Sequence, residues 1–509
     1  MKKYLLLLIL CSSTTLFAQT PEDALRASWF TQNGSGRNTA TGGVMGSLGG
    51  DITANHVNPA GLGLFKTNEF MLSAGMQFNS NKFNYRGTDA SKSKQAFNYG
   101  ASGLILSSSP NYKKKWTSSA FAISVNQVAN YNNHVQFKGF NNYSSYSEKY
   151  LEELVRDRAD TNAALSNYIF GSSLAFRTYL IDTTRGAGGA VTGYQSLVPI
   201  STGSNQSYDA NTSGGYHEVA IGLAGNMDDK LYIGGSFVIP IMNYHRDLVY
   251  SEKDATTSAN NDFSSFEYKE SYTSRGVGIG MKLGMIYKPK EYWRIGIAFH
   301  TPQLINFKDE IRSSMITNTE KYAGIVSETS DALNSGNSGK GQYNLTTPLR
   351  TVVSASYVFR EVKDTRKQRA FLSADIEYVN YKGARYHADD NSNQALVDYY
   401  TLVNDEIKDY YKNNFNVRIG GELKFNVWMV RLGGGYYGSP YADENLKADK
   451  IVASGGLGYR NHGFFIDLSY AQAFQNDVQF AYRLNDKANT YATQTGGKGT
   501  LMMTFGIKF

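Results

Sequence analysis

From about residue 66 the chain alternates apolar and polar positions with a period of two, the mark of β-strands with one greasy and one polar face. Phe70, Leu72, Ala74, Met76 and Phe78 alternate with Met71, Ser73, Gly75 and Gln77. Val277, Ile279, Met281, Leu283, Met285 and Tyr287 alternate with glycines, Lys282 and Ile286. Trp293, Ile295, Ile297 and Phe299 oppose Arg294 and His300, and Leu372, Ala374, Ile376 and Tyr378 oppose Ser373, Asp375 and Glu377. Val417, Ile419, Leu423 and Phe425 oppose Arg418, Glu422 and Lys424, and Phe464, Ile466, Leu468 and Tyr470 oppose Asp467 and Ser469. The pattern predicts an all-β protein.

A sandwich hides its apolar faces in a core, whereas a membrane barrel turns them to lipid. Segment length favours the barrel, since many segments exceed the roughly 9–11 residues that a tilted strand needs to cross a bilayer. The connections also alternate in length, as barrel turns do. Those at 226–230, 288–291, 425–427 and 460–463 are short, and 110–115 and 360–368 are little longer. Between them lie polar stretches at 139–215, 251–266, 313–342, 387–413, 439–450 and 475–496. Short turns facing the periplasm and long loops facing outward give about 14 antiparallel strands, with both chain ends on the periplasmic side. The chain closes on Leu501, Met503, Phe505, Ile507 and Phe509, the kind of C-terminal strand that the barrel assembly machinery reads.

Composition agrees. The 37 Tyr, 27 Phe and 50 Gly suit many strands with aromatic girdles, and only 9 Pro leave the ladders intact. A mean hydropathy of −0.40 excludes a bundle of membrane helices. The net charge of +7 is spread along the chain, so there is no nucleic-acid stripe. Residues 1–18 read as a secretory signal, with Lys2 and Lys3 ahead of an apolar core and cleavage after Ala18. The expected location is the Gram-negative outer membrane, as a monomer among outer-membrane lipids. The one cysteine, Cys11, falls in the signal, and Leu10 before it does not suit lipidation. The mature chain is thus expected to lack disulfides, thiol chemistry and cysteine metal sites.

The stretch 34–65 is rich in Gly, Ala, Asn and Thr and has no apolar period of its own. Small residues suit a segment pressed inside something larger. It carries Gly36-Arg37 with Gly42, then Asn58-Pro59-Ala60-Gly61, ahead of the first strand. In these motifs and their position the chain resembles the FadL/TodX family of outer-membrane long-chain fatty-acid and hydrocarbon transport proteins. The order of Thr347-Pro348-Leu349-Arg350, Val417–Glu422, Val430–Tyr436, Ser439-Pro440 and Gly456–Arg460 is similar to the C-terminal half of that family. The resemblance implies a hatch at residues 19–66 inside a barrel at 67–509, gated by Asn58, Pro59, Ala60, Gly61 and Gly63, that passes a hydrophobic ligand without a cofactor. Residues 139–215 depart from the family as a long outer insertion.

The inward charges Arg294, Asp375, Glu377, Arg418, Glu422, Lys424, Arg431 and Asp467 allow two readings. They form a salt-bridge lattice, or one of Arg294, Arg418 and Arg431 grips a carboxylate headgroup. Outer-loop helices are expected at 147–169 and 393–412, either as a greasy capture groove or as packed caps, and 185–213 as a mobile loop. Seven scattered His make no metal motif, and there is no G-x-S-x-G elbow. His300, Ser354 and Asp375 are the nearest hydrolase combination, and the chain is read as a non-enzyme. A surface-binding or adhesion barrel with a sealed lumen and a water-filled porin are the competing functions.

Overall fold

The computed structural model describes residues 20–108, 110–256, 258–359 and 369–509. The expected signal peptide at 1–18 and the turn at 360–368 lie outside the described residues. Fourteen antiparallel strands form the wall. The first seven are β1 (Glu69–Tyr85), β2 (Thr88–Tyr99, then Ser102–Ser107), β3 (Trp116–Asn130, then Asn133–Asn141), β4 (Ser204–Met227), β5 (Leu231–Asp254), β6 (Ser265–Lys290) and β7 (Trp293–His300, then Leu304–Asn318). The others are β8 (Gly339–Thr346, then Arg350–Phe359), β9 (Ala370–Val379, then Arg385–Ala388), β10 (Asn414–Phe425), β11 (Trp428–Tyr437), β12 (Lys450–Asn461), β13 (Phe464–Gln479) and β14 (Ala492–Lys508). β14 returns to β1 over sixteen consecutive pairs, from Glu69↔Lys508 to Asn84↔Thr493, and closes the sheet. Closure removes the free edge that hydrocarbon would not tolerate.

The apolar rows face out. On β6, Val277, Ile279, Met281, Leu283, Met285 and Tyr287 are all exposed. That run covers about 25 Å of membrane normal at the usual ~3.4 Å rise and ~40° tilt. Trp293 against Tyr357 and Trp428 against Tyr459 mark its periplasmic rim. No helix among the described residues is long and apolar enough to cross a membrane.

β4 and β5 have 24 residues each and β6 has 26, about twice what the bilayer requires, so the barrel rises beyond the outer surface. This corrects the loop lengths expected from the pattern. The insertion is 142–203 rather than 139–215, because β3 reaches Asn141 and β4 begins at Ser204. The stretch 185–213 is not a mobile loop. It holds Val191–Ser196, paired with Ile181–Arg185, and the start of β4. Above the membrane the outward faces meet water while inward side chains such as Tyr208, Leu248, Tyr250, Phe266 and Tyr268 pack with the outer helices, so the ladder persists where the outward apolar row stops.

Inside and above the wall lie short helices. The N-terminal segment carries α1 (Pro21–Arg26), α2 (Gly36–Ala40) and α3 (Ala54–Val57). The outer insertion carries α4 (Tyr146–Arg156), α5 (Thr161–Ser166) and α6 (Ser172–Arg177), with α7 (Ser330–Leu333) and α8 (Gln394–Tyr410) in later loops. The single helix expected at 147–169 is therefore two, because Asp160 starts a new one by accepting from Ala163 N. The expectation that both chain ends are periplasmic holds for Phe509, whose N bonds Asn68 O at 3.1 Å. It fails for the start of the described chain. Tyr386 Oη donates to Thr20 O at 3.0 Å beside α8, so the segment begins at the outer end and descends through the lumen to β1.

Candidate functional site

Residues 34–65 are almost wholly buried. Helices as short as α2 and α3 do not persist alone in water, so local ties must hold them. Asp51 is one such tie, accepting from Ser35 Oγ at 2.6 Å and Thr53 N at 2.9 Å. Asn58 is another. Its Oδ1 accepts from Ala60 N at 3.1 Å, an Asx turn that launches the 3₁₀ helix Pro59–Leu64, and its Nδ2 donates to Gly46 O at 2.6 Å. The wall yields to this backbone through glycine. A Cβ on Gly284 of β6 would stand 1.8 Å from Asn58 Oδ1, and one on Gly420 of β10 would stand 2.0 Å from Thr41 O.

Anchors run round the barrel. Gly36 N donates to Thr504 Oγ1 of β14 at 2.7 Å, and Gly42 N to Ser454 Oγ of β12 at 3.0 Å. Met45 N and Gly46 N both donate to Asp375 Oδ2 of β9, at 3.0 and 3.1 Å. Arg294 Nη1 donates to Leu48 O at 3.0 Å, Lys282 Nζ to His56 O at 2.9 Å and His300 Nε2 to Val57 O at 2.7 Å. Asn55 Nδ2 donates to Ser124 Oγ at 2.8 Å, and His56 Nε2 lies 2.9 Å from the same oxygen. Gly61 packs on Gly49, and Gly63 on Gly225 of β4.

The inward charges form linked clusters. Arg418 Nη1 donates to Glu377 Oε2 at 3.1 Å and its other end lies 3.7 Å from Asp375, while Arg350 takes Glu377 Oε1 at 3.1 Å. Arg431 donates to Glu422 and to Asp467, both at 2.6 Å, and Arg37 of the segment lies 3.5 Å from Glu422. Lys424 sits at the same level on β10. Arg418 and Arg431 are each 1% exposed, and burial on this scale demands such partners. A third cluster escaped the sequence reading: Glu218 of β4 accepts from Lys282 at 2.5 Å and from Gln303 Nε2 at 2.6 Å, next to His56. The signal for it was Lys282, a buried cation among glycines on the inward row of β6. The hydrolase combination is not assembled, since Ser354 Oγ donates to Asp375 at 2.6 Å while His300 is held by Val57.

Two small cavities, each of about 40 Å³, lie against the segment. His56, Glu218, Lys282, His300, Arg350 and Glu377 line one. Asn33, Gln127, Asn130, Tyr437 and Lys498 are among the residues lining the other. Such spaces admit water and not an acyl chain.

The second cavity abuts a break in the wall. The periplasmic halves of β2 and β3 pair from Ser102↔Val125 to Ser107↔Ala120. Outward of Gly100–Ala101 in β2 and Tyr131–Asn132 in β3 no residue pairs link the two strands. The break begins within the apolar belt, because Met76, Phe78 and Phe97, all exposed, lie above its start. Side-chain amides fill it. Asn33 Nδ2 donates to Tyr99 O at 3.0 Å and to Gln127 O at 2.7 Å, and Asn126 Nδ2 returns a bond to Asn33 O at 3.1 Å. Gln127 Oε1 accepts from Tyr99 N at 2.8 Å, and Asn130 Nδ2 donates to Phe97 O at 2.8 Å. Asn33, in the N-terminal segment, thus stands in for the missing ladder.

Above this level the helices are packed. Leu396, Tyr400, Val403 and Ile407 of α8 are buried against a cluster that includes Tyr343 and Tyr386. Tyr146, Tyr150 and Leu154 of α4 are buried with Tyr250 and Tyr268. Of the two expectations for these helices, the arrangement matches the packed caps. Glu22 of α1 pairs with Arg483 of the last outer loop. Burial pushes the Glu406 carboxyl of α8 up, and the nearby Glu22 adds to it.

A closed fourteen-stranded barrel, belted with apolar side chains and filled by its own N-terminal segment, is the architecture of a transmembrane β-barrel with an internal plug. No protein-family model matches the sequence, and no curated protein matches it. Solved structures do. A Pseudomonas aeruginosa FadL homologue is 13% identical over 94% of this chain and 99% of that one, with a TM-score of 0.55. The P. putida toluene transporter TodX is also 13% identical over 94% and 99%, with a TM-score of 0.50. The chain has the fold of the FadL and TodX channels, as the motifs at Gly36-Arg37 and Asn58–Gly61 led us to expect.

Proposed function

We propose that this protein is an outer-membrane channel for passive uptake of hydrophobic molecules, long-chain fatty acids or related lipids foremost, with the N-terminal segment as its gate. The observation that carries the proposal is Asn33. It holds shut the break between β2 and β3, so a shift of the segment would open a sideways route from the lumen into the bilayer. Hydrophobic molecules cross a hydrated outer leaflet poorly, and a lateral exit spares them the aqueous far side. In this reading Asn58, Pro59, Ala60, Gly61 and Gly63 form the gate, with Gly61 and Gly63 as its hinge points. The lattice arginines Arg294, Arg418 and Arg431 hold segment and wall together rather than gripping a headgroup.

Uptake of labelled long-chain fatty acid by cells that lack a transporter of their own tests this. Wild type is expected to restore uptake, and deletion of residues 58–61 to change its rate severalfold; equal rates would remove the gate. The sealed barrel is the second reading, favoured by the small size of the two cavities and the packed outer helices. It predicts no uptake from either protein.

A further inference from the structure

The outward rows of β5, β6, β7 and β8 change character above the apolar belt. Val277 of β6 opposite Ile241 of β5 is the last apolar pair there. One outward row higher, Arg275 of β6 stands directly opposite Lys308 of β7, with Asn243 of β5 on one flank and Gln342 of β8 on the other. All four side chains are exposed. Two like charges placed directly opposite on neighbouring strands, with Cβ atoms about 5 Å apart, repel each other.

Nearby outward cations have acids of their own. Lys269 holds Glu267 at 2.8 Å, and Arg312 pairs with Asp331. Among the described residues no hydrogen bond or ion pair is made by the side chain of Arg275, Lys308, Asn243 or Gln342. Outward acids stand on either side of the pair: Glu310, one row higher, accepts from Ser338 Oγ and faces Lys340 across the strand pair, and Asp389, beyond the end of β9, accepts from Asn306 Nδ2 at 3.4 Å, one row lower on β7. Arg275 lies about 7 Å along the strand from Val277, the depth at which lipid headgroups begin.

We propose that Arg275 and Lys308, flanked by Asn243 and Gln342, form an outward-facing cradle for the phosphate of a phosphorylated glycolipid in the outer leaflet. A guanidinium takes two phosphate oxygens and an ammonium a third, and the amides donate from either side. Repulsion between the bare cations becomes shared attraction when the anion lies between them. The inference rests on the outer-membrane reading of the barrel but not on its cargo.

The test uses the full-length protein in detergent micelles, with added bis-phosphorylated lipid A, its dephosphorylated counterpart or inorganic phosphate, read by native mass spectrometry and by the shift in unfolding temperature. Lipid A is expected to bind and stabilise the wild type. Its affinity for R275Q/K308Q is expected to be about tenfold lower or more, at roughly one kcal/mol per cation. K82Q, an outward lysine on β1, serves as the control and is expected to bind as wild type does. Heat-modifiable gel mobility reports that each barrel is folded. Equal binding by wild type and double variant, equal binding of the dephosphorylated lipid, or a response to inorganic phosphate alone would overturn the cradle. Fatty-acid uptake by the double variant separates the two claims, since loss of lipid binding with normal uptake touches only the channel's seating in the membrane.

Discussion

The two neighbours of β1 show how differently one wall can be built. On one side β14 meets β1 in sixteen unbroken pairs, running from the periplasmic turn to far above the bilayer. On the other side β1 pairs with β2 along nearly its whole length, with a gap only at Leu72–Ser73, but β2 lets go of β3 after six pairs, inside the apolar belt. An unpaired backbone group facing hydrocarbon costs several kcal/mol, so a break there survives only if something else satisfies it. Here Asn33, Asn126, Gln127 and Asn130 do so. The seam is held by backbone, which no side-chain rearrangement can undo. The junction is held by side-chain amides, one of them on a segment that enters the wall from inside.

The comparison is broken most severely by removing the segment. Deletion of residues 34–65 is expected to leave a barrel that still closes through β14–β1 and conducts ions in planar bilayers as a wide pore. Wild type should conduct little, and a silent deletion protein would show that the segment does not occlude the lumen. Next in size is Gly420→Val. Its Cβ would meet Thr41 O at 2.0 Å, with an overpacking cost of about 1–3 kcal/mol that displaces the segment. Leakage of a small polar dye from proteoliposomes is expected to rise, with gel mobility unchanged.

Asn33→Ala removes two bonds across the junction, worth about 1 kcal/mol each. Amide exchange at Tyr99, whose N–H is held across the same junction by Gln127 Oε1, should quicken several-fold, and exchange at Met502 in the seam should not. Equal change at both would mean the junction and the seam are not separate. The smallest effect is expected from Glu22→Gln. Its half-exposed pair with Arg483 is worth under about 1 kcal/mol, so uptake should stay within twofold of wild type.

Much of the wall could be read from the chain because its outward rows obey one rule over the whole height of the bilayer. Val277 to Tyr287 and Phe70 to Phe78 announce themselves. The rule ends where lipid ends, which is why the upper half of β4 and the last five residues of β13 passed for loop. The inward charges were legible as residues but not as pairs, because register joins Arg418 to Glu377 and Arg431 to Asp467, and periodicity carries no register. Asn33 was invisible. A single polar residue in a small-residue segment gives no sign that it completes a sheet some hundred positions further on.

The segment touches β14 through Gly36, β9 through Met45 and β3 through Asn55. The staves meet this stopper through glycines such as Gly284 and Gly420, where a single added carbon would strike it. A cooper would cut bung and staves to one another, and a change to either is expected to be felt in the other.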